Sequence, residues 1–191
     1  MPQLPTREQA LALMHQHVQS ESLRRHMYSV EAACRAYARR WNEDEEIYGL
    51  AGLLHDFDYE EHPEQHPLAG ERILREQGYP ETVIRAILSH YATRTGVSPE
   101  SKLERTLHAC DEITGLVTAA ALVRPSRSVM DLEAKSVLKK MKDRAFAAGV
   151  DRDDVRKAAE DLGVELAEHV QFVIDAMRTV APELGLAGAA G

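Results

Sequence analysis

The sequence predicts an all-α fold. Helix-capping residues recur from one end to the other, and apolar residues repeat at three- and four-residue spacing. Alternating runs rich in Val, Ile and Thr, from which a half-buried sheet would be built, are scarce. The chain has 191 residues, 44% hydrophobic and 28% charged, which is enough for one ordinary core. The expected organisation is a single domain over 1–191, with a core at about 20–125, a C-terminal helical extension at about 126–183 and a frayed tail at 184–191.

Thr6 with Gln9 has the capping-box pattern that opens a first helix. A second runs from about Ser20 to Trp41, with Leu23, Met27, Val30 and Cys34 on one stripe. Asn42 with Glu45 opens a third, ending near Phe57. The polar stretch DYEEHPEQH, Asp58 to His66, has no apolar stripe and reads as a loop whose charges face solvent. A fourth helix starts at Pro67 and stops at Gly78. Pro80 opens a fifth, with Val83, Ile84, Ile87, Leu88 and Tyr91 on its apolar face. Ser98 and Pro99 start a long helix that ends by Arg124, because Pro125 disfavours helical geometry in the residue before it. Further helices are expected around Asp131 to Ala147, after an Asp151 cap, and from Glu165 to Val180.

Composition excludes several function classes. A net charge of −8 repels a phosphate backbone and argues against general nucleic-acid binding. The longest run of small or apolar residues, Thr114 to Val123, is far short of the roughly 18–20 residues a bilayer demands, so no membrane span or membrane partner is expected. The start MPQLPTREQA lacks the features of a secretory signal, which places the expected location in the cytoplasm. Two cysteines, Cys34 and Cys110, can form neither a disulfide framework nor a four-thiolate zinc site. Helical domains of this size often pair, which keeps a homodimer open, although no exposed apolar stripe marks an interface.

The nine histidines carry more information. His55-Asp56 closes an apolar helix in GLLHDFDY. His26 lies on the stripe of Leu23, Val30 and Cys34. Asp111, four residues after Leu107 and three before Thr114, faces inward on the long helix, and His90 sits on the apolar side of its own. His66 stands at a helix start, where its side chain can reach a cleft. A buried carboxylate without a cation or strong donors is expensive, so six ligand-type groups from five segments favour a metal over coincidence. Asp56 is the bridging candidate and the catalytic one, orienting the attacking water. One ion would take His26, His55, Asp56 and Asp111, and a second the other oxygen of Asp56 with His66 and His90. Two ions roughly 3.5–4 Å apart suit phosphoryl displacement. The mixed N and O set fits Fe, Mn, Zn, Ni or Co better than Ca or a purely Mg site. His108, one turn before Asp111, is placed to hold that carboxylate.

These residues resemble the HD-domain metal-dependent phosphohydrolases, whose helical core carries H…HD…D. His26, His55-Asp56 and Asp111 match that pattern, and His66 in HPLAGERIL with His90 in ILSHY is similar to the two additional histidines of the dinuclear members. The resemblance covers about residues 20–125. It implies an all-α fold, one or two divalent ions (Fe, Mn, Zn, Ni, Co or Mg), and hydrolysis of a phosphate ester in a nucleotide or other small phosphorylated metabolite. The cyclic-dinucleotide branch carries a further His-His pair where this chain has Ser89-His90, which points away from it. Two alternatives stand beside hydrolysis: a di-iron oxygenase on the same six ligands, and a non-catalytic module that binds a nucleotide. A basic segment at 124–144 is a candidate phosphate clamp through Arg124, Lys135 and Lys139, set against the reading of a solvated helix face.

Overall fold

The computed structural model describes residues 4–188 as eleven helices. They are α1 (Arg7–His17), α2 (Glu21–Trp41), α3 (Glu45–Leu54), α4 (Leu68–Glu76), α5 (Glu81–Ser89), α6 (Ala92–Thr95), α7 (Lys102–Leu122), α8 (Ala134–Met141), α9 (Arg152–Leu162), α10 (Leu166–Arg178) and α11 (Ala181–Leu184). Among the described residues there is no strand, only an isolated bridge between Ser128 and Ala187. Among the described residues no helix is long and apolar enough to cross a membrane.

Local chemistry sets many of these boundaries. Thr6 and Gln9 close a reciprocal capping box on α1, Ser20 caps α2 through the Leu23 amide, and Asp151 caps α9. The third helix starts later than expected. Asn42 is the left-handed residue that ends α2 (φ 54°), and Asp44 caps α3 through the amides of Glu46 and Ile47. That helix also stops at Leu54, so His55 and Asp56 lie in the turn after it. Pro80 is the cap of α5 and not its first turn, and the long helix begins at a Ser101–Glu104 capping box. The helix expected around 131–147 shortens to α8, with turns over 144–149.

Helices α2, α3, α5 and α7 pack on one another and frame the site. Gly52 permits a close backbone approach: a Cβ there would lie 2.8 Å from Glu31 Cα, so α3 can rest directly on the α2 backbone. Leu50, Leu53 and Leu54 of α3, Met27 and Val30 of α2, Ile84 and Ile87 of α5, and Leu107 and Ile113 of α7 are buried together. Beside them, Glu31 is a buried carboxylate held by Arg7 (2.6 and 2.9 Å) and Arg35 (2.9 Å). The expected fraying of 184–191 is not observed where the tail is described. Leu184 and Leu186 are buried, and the Leu186 carbonyl accepts from the Val129 amide (2.9 Å) and Ser128 Oγ (3.0 Å), because two leucines outweigh the small residues around them. Residues 189–191 of that stretch lie outside the described residues.

Candidate metal centre

The six candidate ligands arrive from three helices and one turn region. His26 comes from α2, His55 and Asp56 from the turn after α3, His66 from the end of the following turns, His90 from the C-terminal end of α5, and Asp111 from α7. They form two clusters, His26 with His55 and Asp111, and Asp56 with His66 and His90. In the first, His26 Nε2 lies 3.2 Å from His55 Nε2 and 3.0 Å from Asp111 Oδ1, and His55 Nε2 is 3.4 Å from the same oxygen. In the second, His66 Nε2 lies 3.2 Å from His90 Nε2, and the two nitrogens are 3.3 and 3.4 Å from Asp56 Oδ1. The other oxygen of Asp56, Oδ2, faces the first cluster at 3.4 Å from His55 and 3.7 Å from His26.

Those separations suit coordination, though the shortest also lie in the hydrogen-bond range. An ion about 2.1 Å from each of two ligands at 90–109° holds them about 3.0–3.4 Å apart. The tautomers agree. His55 Nδ1 donates to Gly52 O (2.8 Å), His66 Nδ1 to Asp58 Oδ1 (2.6 Å), and His90 Nδ1 to Ile87 O. Each ring in its neutral form therefore turns an Nε2 lone pair toward another lone pair or a carboxylate. Such a convergence is repulsive without a cation, so the donor set fits divalent metal.

Two local features hold this arrangement. The close seat of α3 on α2 at Gly52 brings His55 beside His26. At Gly70 a Cβ would meet Asp58 Cγ at 2.9 Å. The glycine thus lets Asp58 reach its amide (2.7 Å to Oδ2) while Oδ1 orients His66. Electrostatics follow from the crowding. Burial alone would depress His55, but Asp56 and Asp111 outweigh it and hold its pKa well above the ordinary histidine value. Burial likewise pushes Asp56 and Asp111 up, and the facing imidazoles reverse this and hold both well below the usual carboxylate range.

The ligand atoms open into a cleft of about 420 Å³ whose other lining includes Tyr59, Tyr91, Glu112, Gly115 and Val150. Burial pushes Glu112 up to about 7, with Asp111 and Asp154 adding to the effect. Asp58 departs from the solvent-facing loop charge expected of it, since it is fully buried under His66. Its neighbours Glu60 and Glu61 are tied to the α1–α2 junction through the Gln19 and Ser20 amides and His17. His108 points to Asp154 on α9 (3.4 Å) and not to Asp111. The basic clamp is also corrected, because Arg124, Lys135 and Lys139 do not line the cleft. Arg124 is paired with Asp131 (3.0 Å), while α8 buries Ala134, Val137 and Met141 and leaves Lys135 and Lys139 in solvent.

Residues 23–116, just under half of the chain, match the family model described as HD domain. All six candidate ligands fall within that segment. No curated protein matches the chain significantly.

Proposed function

Taking residues 23–116 as an HD domain, we propose that this protein is a metal-dependent phosphohydrolase acting on a phosphate ester of a small metabolite, the nucleotide being the class expected from its sequence. HD domains are typically metal-dependent hydrolases and bind divalent metals. The observation that carries the reading is Asp56, whose two carboxylate oxygens each face a different imidazole pair, Oδ2 toward His26 and His55 and Oδ1 toward His66 and His90. A carboxylate so placed is suited to bridge two sites.

Divalent ions bound there would supply an acidified water and offset charge on the phosphoryl oxygens. Hydrolysis then requires the water oxygen to join phosphorus while the P–O bond to the alcohol breaks and the alcohol leaves with a proton. The chain's contribution is orientation. Gly52, Asp58 and Ile87 fix the three imidazole rings through their Nδ1 atoms, and Asp56 holds the two clusters in register. Tyr59 and Tyr91 stand beside His66, with ring centroids 5.4 and 5.9 Å away, and narrow the approach from that side.

The test is elemental analysis of the purified protein, followed by a phosphate-release screen over nucleotides and other phosphate esters with Mn, Co, Ni or Mg. About two ions per chain and turnover of at least one ester are expected, with both lost in a folded Asp56→Ala variant. Normal hydrolysis by that variant would overturn the proposal.

A further inference from the structure

A second cavity of about 400 Å³ lies between the start of α2, the end of α7 and the segment after α11. His26 and Gly115 line both this cavity and the metal cleft, so the two meet at α7. Its walls away from that junction include Ala119, Leu122, Leu184 and Leu186, and Leu122 keeps 42% of its surface exposed. The lining holds no Phe, Tyr or Trp on which a base would stack. Its two charged side chains, Glu21 and Arg25, pair with each other at the solvent-exposed rim (3.3 Å).

Gly115 is the unexplained residue at this junction. It sits well inside α7, where glycine destabilises a helix relative to alanine through backbone entropy. Packing does not require it, since a Cβ built there meets no atom within 4 Å, in contrast to the 2.8 Å contact at Gly52. The space a side chain would take is the space between the two cavities.

We propose that Gly115 keeps open a passage from the metal cleft into an aliphatic subsite, and that the substrate is a phosphate ester whose alcohol carries an aliphatic group lying between α2, α7 and the Leu184–Leu186 segment. This rests on the phosphohydrolase reading and narrows its substrate class, with the aliphatic ester replacing the nucleotide expected from sequence.

The experiment measures binding of n-alkylphosphonates, from ethyl to octyl, to manganese-loaded protein by calorimetry. Affinity rises by roughly two- to fourfold for each methylene that enters the groove. Gly115→Phe, which fills the passage, and Leu122→Glu, which puts a carboxylate in the groove, each flatten the series. Gly115→Ala raises the melting temperature, which a glycine required by packing would not do. A flat series in the wild type, a slope that survives either variant, or a lower melting temperature for Gly115→Ala overturns the subsite. Phosphonates are not hydrolysed, so the two readings fail separately. A protein that cleaves no ester yet shows the chain-length slope loses the hydrolase reading and keeps the subsite, whereas one that cleaves short esters with a flat series loses only the subsite.

Discussion

Replacing Asp58 with asparagine separates the two halves of the metal centre. Asp58 Oδ1 accepts from His66 Nδ1 at 2.6 Å and Oδ2 accepts from the Gly70 amide at 2.7 Å, both out of solvent. Asparagine keeps the shape but has one oxygen. Either orientation therefore sets an amide N–H against another N–H, and the charge-assisted bond to His66, worth about 1.5–3 kcal/mol, is weakened or lost. The ring then lacks its fixed tautomer and direction. Loss of such a supporting carboxylate lowers metal affinity about 10–100-fold, or about 1.4–2.8 kcal/mol. Because the clusters share only Asp56, the loss should fall on the His66–His90 site and spare the His26–His55–Asp111 site. Titration of the stripped protein with manganese against a competing chelator resolves two steps in the wild type, and in Asp58→Asn one step moves by that factor while the other stays. Equal loss at both sites, or no loss at either, would refute the reasoning.

Three further outcomes are expected. Gly52→Ala places a methyl 2.8 Å from Glu31 Cα, where backbone cannot yield, so urea midpoints should report a loss of about 1–3 kcal/mol together with weaker metal binding at the His55 cluster. An unchanged midpoint would mean that α3 is not seated as described. Glu31→Gln leaves the half-buried Arg35 short of a partner and should cost about 3 kcal/mol, at the low end for a broken buried pair because Glu46 remains 2.8 Å away; a loss below about 1 kcal/mol would count against this network. Burial pushes His169 below the ordinary histidine value, its neutral ring accepting from Tyr37 (2.6 Å) and donating to Ala109 O (2.8 Å). Its folded pKa is the lower one, so its contribution is present above about pH 6.5 and is lost as pH falls, when the unfolded chain takes up the extra proton. In chelated protein the drop in stability from pH 7.5 to 5.5 should be smaller for His169→Gln than for wild type, and an equal drop would contradict the assignment.

What could be read from sequence was whatever short-range chemistry decides. Thr6, Ser20 and Asp151 act as caps because a side chain and an amide two or three residues on suffice. His26 and Asp111 face inward because a 3.6-residue period carries an apolar stripe to the same side as its neighbours. Asn42 misled for a local reason too: it tolerates the left-handed conformation, which suits it to end α2 as well as to open a helix. Asp58 was hidden because DYEEHPEQH is polar throughout, and its burial comes from Phe57 and from Gly70 on the next helix, contacts that no spacing rule registers. The lysines of α8 share a face, but which side of a helix meets a cleft is decided by Val137 and Met141 docking into the core. Leu184 and Leu186 are outweighed by small residues in LGLAGAAG, although two buried leucines and two hydrogen bonds are enough to hold the tail.

The residues that could hold metal and those that shape the approach to it come from different parts of the chain. Every candidate ligand lies within 23–116, whereas Ala119, Leu122, Val150, Leu184 and Leu186 lie outside it. Coordination tolerates displacements of only a few tenths of an ångström, so its ligands belong on segments locked by contacts such as Gly52 against Glu31 and Asp58 against Gly70. Selection of an organic group tolerates more, and is met by the last turns of α7, the turn region after α8 and a tail pinned at Val129. Changes in those walls can alter what reaches Asp56 without moving His26, His55 or Asp111. On that account Gly115, one residue inside the boundary, is the position at which the two requirements meet.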